Sequence, residues 1–449
     1  MKIHTYMREN VLIKDASVIV LPGDRLLRNA SIVLRNGVIE KVGKGTLTAA
    51  ADTKIDARGR MVMPALSCTH THLYSFLARG MNLKTFVPPN NFVQILENLW
   101  WRLDEELTLK DVSVSAQGAL AEFARCGVVS FADHHASPSA IKGSLDVIAK
   151  EVERFGLRAR LAYEVTDRHG TDGARQGITE NASFIKKHKS HPSVRGDFGL
   201  HASLTLSDET LERCVDSVKD VGCGFHVHVA EDAADQDDCV KKHHGLRIVE
   251  RFNKAGILGP RTIAAHCVHV SDKEIGILSK TGTNVVHNPQ SNMNNAVGVA
   301  PIPAMLSTGI RVGLGTDGFT SDMFQESKAA FTVHKLALRD LKAMPPRDVY
   351  DMLFRANPEI LGFGNGLITA GAPADIMVLD YNPPTPLTSE NLASHFIFGM
   401  NSANIEHVLC NGKQIVRDRK LVTMDSEKII NSCTKHAESL WKRIDANSG

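Results

Sequence analysis

Apolar and polar positions fall into two textures along the chain. From residue 61 onward, short apolar runs with little polar alternation recur: Met61–Ser67, Gly127–Asp133, Arg158–Val165, Asp197–Ser203, Gly222–Ala230, Arg261–Cys267, Thr283–Asn288 and Ile310–Asp317. Stretches of helical period, such as Leu109–Arg125 and Asp208–Val221, lie between them. Runs of this kind predict strands buried on both faces, and a helix after each predicts parallel pairing. Eight such units are what a (β/α)8 barrel of the TIM type requires, although a doubly wound open sheet meets the same count.

The ends of the chain read differently. Ala16–Leu21 and Ala30–Leu34 are short β-branched or apolar runs punctuated by Pro22-Gly23 and Asn36-Gly37, and the texture returns at Ala374–Asp380 and His407–Ile415, the latter broken by Asn411-Gly412. Asn-Gly between such runs is a two-residue hairpin signal. The expectation is an α/β protein with residues 61–369 as a barrel. Residues 1–60 and 370–449 together are expected to form a small β-sandwich domain with a C-terminal helix.

Length changes little in this picture, since 449 residues accommodate a barrel and one accessory domain. Composition excludes more. With 43% apolar and 23% charged residues the chain is of globular type, and 52 Lys plus Arg against 50 Asp plus Glu gives a net charge of +2. That balance offers no electrostatic footprint for nucleic acid or an anionic membrane surface, so a small-molecule partner is expected. Eight scattered cysteines without a C-x-x-C pair suit a reducing compartment. Met1–Asn10 has no apolar signal core, and no later window is long and apolar enough to span a membrane. A cytoplasmic address follows as the expectation.

Unusual polar residues gather at the C-terminal ends of the apolar runs, where barrel enzymes place their chemistry. His70 and His72 follow the first run; Asp133, His134 and His135 close the second; His201 sits in the fourth, His226 and His228 in the fifth, His266 in the sixth, His287 in the seventh and Asp317 in the eighth. On a strand, residues i and i+2 share a face, so His70 and His72 can turn toward one cation. Taken alone, H-x-H is common by chance. His228 and Asp317 would complete a set of three histidines and one aspartate, N/O ligands suited to zinc, with Fe2+ or Mn2+ as alternates. His226 and His228 form a second i, i+2 pair, and spacing leaves open which one binds. His228 is taken because it lies nearer the strand's end, with His226 one layer deeper. Cys68 shares a face with His70 but lies deeper, and is read as a small filling residue.

These motifs resemble the amidohydrolase superfamily, in its cytosine deaminase and chlorohydrolase branch, over nearly the whole chain. The resemblance is carried by Met63-Pro64 leading into His70-Thr71-His72, by His226 to Glu231, Ala265-His266-Cys267, Asn288-Pro289-Gln290-Ser291-Asn292 and Gly315-Thr316-Asp317-Gly318. At the C-terminus it is carried by Gly371 to Ile376 and Asn411-Gly412-Lys413. A closer likeness, to one aminohydrolase subgroup of that branch, rests on Asn98 to Asp104 and Asp133 to Pro138.

The resemblance implies hydrolytic deamination of a nitrogen heterocycle, a purine, pterin or purine-degradation intermediate, with release of ammonia. A bound divalent metal would lower the pKa of water toward neutrality. Asp317 is then expected to accept the water proton, Glu231 to shuttle it to a ring nitrogen, and His266 to polarise the developing tetrahedral centre. For Glu231 the bland alternative is the acidic start of a helix. His201 is expected to contact substrate, and Tyr74, Trp100 and Asp133 to line its pocket; helix packing explains the tryptophan equally well, and support of the metal residues is an equal reading for Asp133. Relatives with two metals carry a lysine on the fourth strand. Asp197–Ser203 has none, so one metal per chain is expected. Homo-oligomers are common in the branch and are expected here. Two other functions stay open: chlorohydrolase or cyclic-amide chemistry at the same site, and a catalytically inactive scaffold.

Overall fold

Apolar runs of two burial patterns build two sheet systems. The computed structural model describes residues 10–219, 221–364, 366–422 and 424–447; most of the charged N-terminal segment noted above lies outside them. The first system begins with β1 (Val11–Val20), β2 (Leu26–Arg35), β3 (Val38–Lys44), β4 (Thr53–Asp56) and β5 (Met61–Pro64).

A second set of strands follows: β6 (Leu66–Thr71), β7 (Val128–His135), β8 (Arg158–Tyr163), β9 (Val194–Gly196), β10 (Phe198–Leu200), β11 (Phe225–Val229), β12 (Ile263–His266), β13 (Asn284–His287) and β14 (Val312–Leu314). The chain then returns to the first sheet through β15 (Ile376–Leu379), β16 (Ile405–Cys410), β17 (Lys413–Arg417) and β18 (Lys420–Leu421). Its last helix is Ser426–Ala446.

The terminal strands form one nine-stranded sheet in the order β18-β17-β16-β15-β5-β1-β2-β3, with β4 also paired to β1. The run Met61–Ser67, read from sequence as one barrel strand, is therefore two. Met61–Pro64 pairs with β1 and with β15, and only from Leu66 does the chain join the parallel strands. The reason lies in its pleat: Met61 and Met63 face the main core, whereas Val62 faces a second core with Ile19, Ile376 and Val378.

Both Asn-Gly pairs form the expected hairpins. Asn36 and Gly37 join β2 to β3 with φ of 51° and 83°, and Asn411 and Gly412 join β16 to β17 with 48° and 76°, the positive values a two-residue primed turn needs. The two turns also touch: a Cβ on Gly412 would lie 2.7 Å from the Gly37 Cα. The backbone amide of Ala374 donates to the Gly37 carbonyl, and that of Gly412 to the Ala374 carbonyl, each at 2.9 Å. Gly412→Ala is accordingly expected to cost about 1–3 kcal/mol by overpacking and backbone strain. Urea unfolding checks this; a change below a few tenths of a kcal/mol would refute the close approach.

The central strands pair in parallel as two arcs, β6-β7-β8-β9 and β10-β11-β12-β13-β14. Parallel bridges at Val165↔Leu200 and Thr71↔Asp317 link one arc to the other at both ends. Helices such as Leu109–Arg125, Ser144–Phe155 and Met323–Leu338 follow the strands, giving a TIM-like architecture in which strand C-termini share one face. No helix among the described residues is long and apolar enough to cross a membrane.

Candidate metal and catalytic site

Buried strands fix their terminal side chains, because β6, β7, β11, β12 and β13 have every residue buried. His70 ends β6 with Thr71, and His72 is the next residue on. His228 lies on β11, His266 closes β12, and Glu231 and Asp317 follow the ends of β11 and β14. Ala230, His266, Cys267 and Asp317 all have positive φ, from 47° to 70°. For non-glycine residues this conformation costs roughly 1–3 kcal/mol, and its concentration at the strand ends is the kind of strain functional sites retain.

The imidazoles converge on one point. His72 Nδ1–H donates to the His134 carbonyl at 2.5 Å, and His228 Nδ1–H donates to the His201 carbonyl at 2.9 Å. Both Nε2 atoms are thereby left as lone pairs, and they face each other at 3.2 Å. His70 Nε2 is buried with no hydrogen-bond partner. Asp317 Oδ1 lies 3.0 Å from His72 Nε2 and 3.6 Å from His70 Nε2. Facing lone pairs, an orphaned buried nitrogen and a carboxylate oxygen within the same small space fit a divalent cation of N/O preference. Burial, with His134 and His70 alongside, pushes His228 well below its usual pKa and holds it in the neutral form a cation needs. Burial also works to raise Asp317, but the imidazoles of His70, His72 and His266 facing it outweigh that and keep the carboxyl well below its usual range.

His226 is placed one layer deeper. Its Nε2 meets His70 Nδ1 at 2.8 Å, so it supports the ring that faces the cluster. Two further ion-holding combinations overlap this cluster: His70, His266 and Asp317, and His134, Glu164 and His228. In the latter, His134 Nε2 donates to the Leu200 and His226 carbonyls, which leaves its Nδ1 as a lone pair 3.4 Å from Glu164 Oε2. Cys68 is buried, its thiol pushed up to about 11 mainly by burial, and its Sγ donates to the His70 carbonyl.

Glu231 and His266 flank the cluster. His266 Nε2 lies 3.4 Å from Glu231 Oε2 and 3.8 Å from Asp317 Oδ2. Burial raises Glu231 to about 7, with His266 lowering it and Asp317 raising it further. A carboxyl poised near neutrality is suited to both giving and taking a proton.

An open cleft lies over these groups, lined among others by Tyr74, Trp100, Trp101, His201, Glu231 and Asp317. Tyr74, Trp100 and His201 thus face the space expected of them. Asp133 does not. It is fully buried beneath the cleft, and its Oδ1 accepts the Leu73 backbone N–H at 2.8 Å, fixing the segment that follows His72. Its assignment as a substrate contact is corrected to a support.

Two wall residues, Glu164 and Asp104, were given no role from sequence, nor was Arg168, which packs behind them. Arg168 donates to Asp104 at 2.6 Å, lies 3.9 Å from Glu164 Oε1 and stacks over Trp101 at 4.7 Å. Glu164 had a legible signal, since it is the one charged residue at the C-terminal end of the third run. Arg168 and Asp104 had none, because only the fold brings them together. Arg168→Met would strip the buried Asp104 of its partner, and a stability loss of about 1–3 kcal/mol is expected in thermal or urea unfolding. An unchanged midpoint would show that the pair contributes nothing.

Strand ends that deliver a buried cluster of histidines and an aspartate into an open cleft are the build of a metal-binding hydrolase. The chain belongs to the amidohydrolase family, whose model matches residues 61–415. It is 32% identical over 444 residues to a 5'-deoxyadenosine deaminase of Methanosarcina mazei, covering 97% of this chain and 100% of that one. It is also 32% identical over 440 residues to a 5-methylthioadenosine/S-adenosylhomocysteine deaminase of Dictyoglomus thermophilum, covering 96% and 99%. Among solved structures, an adenosine deaminase from Xanthomonas campestris with bound zinc superimposes with a TM-score of 0.85 at 23% identity, covering 97% of this chain and 99% of that one. The protein is a hydrolase acting on carbon–nitrogen bonds other than peptide bonds.

Proposed function

We propose that this protein hydrolytically deaminates a nitrogen heterocycle of the purine type and releases ammonia, using one divalent metal held by His70, His72, His228 and Asp317. The observation that carries the reading is the pairing of that ligand cluster with Glu231 and His266 at one mouth of the cleft. The relatives named for deamination of 5'-modified adenosines support a 6-aminopurine nucleoside as the first substrate class to test.

A divalent metal, zinc by preference, supplies activation of water toward attack at neutral pH. Asp317 Oδ2 is placed to take the water proton, being held in its ionised form. Glu231, near neutrality, carries a proton to the ring nitrogen beside the attacked carbon and then to the departing amine. His266 Nε2 faces both carboxylates and accepts a hydrogen bond from the attacking water. Tyr74, Trp100 and His201 hold the ring.

The two strand arcs, linked at Val165↔Leu200 and Thr71↔Asp317, are read as one closed eight-stranded barrel in which β9 and β10, separated only by Asp197, are two pieces of the fourth strand. The terminal sheet, with its own apolar cluster, is read as the small β-sandwich domain. An ammonia-release screen of the zinc-loaded protein over 5'-deoxyadenosine, methylthioadenosine, S-adenosylhomocysteine, aminopurine bases and pterins, with elemental analysis of the same sample, tests the proposal. Turnover with one metal per chain is expected. Silence across the panel favours the scaffold reading, and two metals per chain refutes the ligand count.

A further inference from the structure

Three groups assigned to proton handling come from three different strand ends, β11, β12 and β14, yet one short segment touches all of them. In the helix Pro289–Asn294 and the residue after it, Ser291 Oγ donates to Asp317 Oδ2 at 2.5 Å, Asn292 Oδ1 lies 2.8 Å from His266 Nδ1, and Asn295 Nδ2 donates to Glu231 Oε1 at 3.3 Å. Asn292 and His266 are buried, and Ser291 nearly so.

The segment is itself held firmly. Its last turn returns to its start, with the Asn292 and Asn295 amides donating to the Asn288 and Ser291 carbonyls. The Gln290 amide donates to the buried Glu326 on the helix Met323–Leu338. Glu326, Asn292 and Asn288 are themselves nine-tenths buried or more.

The consequence for His266 is chemical. An imidazole has two nitrogens, and which one carries the proton is decided by the hydrogen bond the other ring edge makes. If Nδ1–H is spent on Asn292 Oδ1, the neutral ring presents Nε2 as a lone pair toward Glu231 and Asp317. The opposite tautomer would present an N–H there and leave Nδ1 facing an acceptor.

We propose that the segment 289–295 is a positioning element for proton transfer, in which Asn292 fixes the tautomer of His266 while Ser291 and Asn295 hold Asp317 and Glu231 in register with it. This rests on the deaminase reading above for its kinetic consequence, but not for its structural content. Asn292 touches no reacting atom; it acts through His266.

The test uses the full-length protein and three forms: wild type, Asn292→Leu and Asn292→Asp. Leucine fills the same volume without an acceptor, and aspartate restores the acceptor. The first readout is independent of turnover: 15N-detected NMR of ring-labelled histidines in metal-free and zinc-loaded protein, with His266 assigned from a His266→Gln control. In wild type, His266 Nδ1 should give a protonated, pyrrole-type signal and Nε2 a pyridine-type one. In Asn292→Leu the two should move toward each other as the tautomers mix, and in Asn292→Asp the wild-type order should return.

The second readout is kinetic. Removing a partner that orients a site residue typically costs about 10–100-fold, so Asn292→Leu should lose that much kcat with KM and zinc affinity near wild type, and Asn292→Asp should recover most of it. A pyridine-type Nδ1 in the wild type would overturn the proposal, whether or not any variant folds. So would an Asn292→Leu protein with wild-type kcat, or an Asn292→Asp protein as impaired as Asn292→Leu. If no substrate turns over at all, the deaminase reading fails, and the NMR measurement still decides the tautomer.

Discussion

Glu231→Gln is expected to lower kcat for ammonia release by roughly 10²–10⁴-fold, the usual contribution of a positioned acid–base group. Glutamine keeps the size of the side chain and its contact with Asn295, so the fold and the metal content should stay as they are. What it loses is the ability to carry a proton between the cleft and the substrate ring. Burial has already tuned this carboxyl to about 7, where gaining and losing a proton are nearly balanced. Steady-state ammonia release with elemental analysis of the same preparation checks the prediction. Unaltered turnover would remove Glu231 from the mechanism and leave it as the acidic residue ahead of the helix Ala233–Lys242.

Removing the metal should have the larger effect. Chelation is expected to abolish turnover, and added zinc to restore it, because activation of water at neutral pH is the chemistry a bound divalent metal supplies. His70→Ala and His228→Ala should each lose both metal and activity. His226→Gln is the informative contrast: it keeps a polar partner for His70 Nδ1, so metal should still bind, weakened by about 10–100-fold as for other residues that orient a ligand. A competitive chelator titration measures this. If His226→Gln loses the metal outright while His228→Ala keeps it, the choice between the two fifth-strand histidines is reversed.

That choice shows how far sequence alone reaches. The i, i+2 spacing of His226 and His228 leaves both possible, since residues two apart on a strand share a face. Only the neighbours decide: His226 Nε2 is taken up by His70, whereas His228 Nε2 faces His72 and its Nδ1 is spent on a backbone carbonyl. Asp133 illustrates the opposite error. At the end of a buried run its carboxylate reads as a candidate contact, but the backbone of Leu73 folds over it and closes it off from the cleft.

Strand and hairpin positions were legible because they depend on near neighbours. The helix Leu109–Arg125 is found at the bounds its periodicity suggests, with Thr108 and Asp111 forming its capping box. The Asn-Gly turns have the positive φ values their composition requires. Met61–Ser67 was misread as one strand because an apolar run carries no mark of where one sheet ends and another begins. Pairing partners far away in the chain, β1 and β15 on one side and β7 on the other, place that break at Ala65.

By itself the sequence determined which residue types stand at the strand ends, and with them the class of chemistry. Nitrogen and oxygen ligands at those spacings are a local property of strands. The tertiary structure decided what each polar atom does there. Arg168 reaches Asp104 across 64 residues, and the segment 289–295 grips Asp317, His266 and Glu231 from three strands at once. Such roles are set by which hydrogen-bond partners are left once the rest are taken, and in a buried site that balance exists only after distant parts of the chain have packed together.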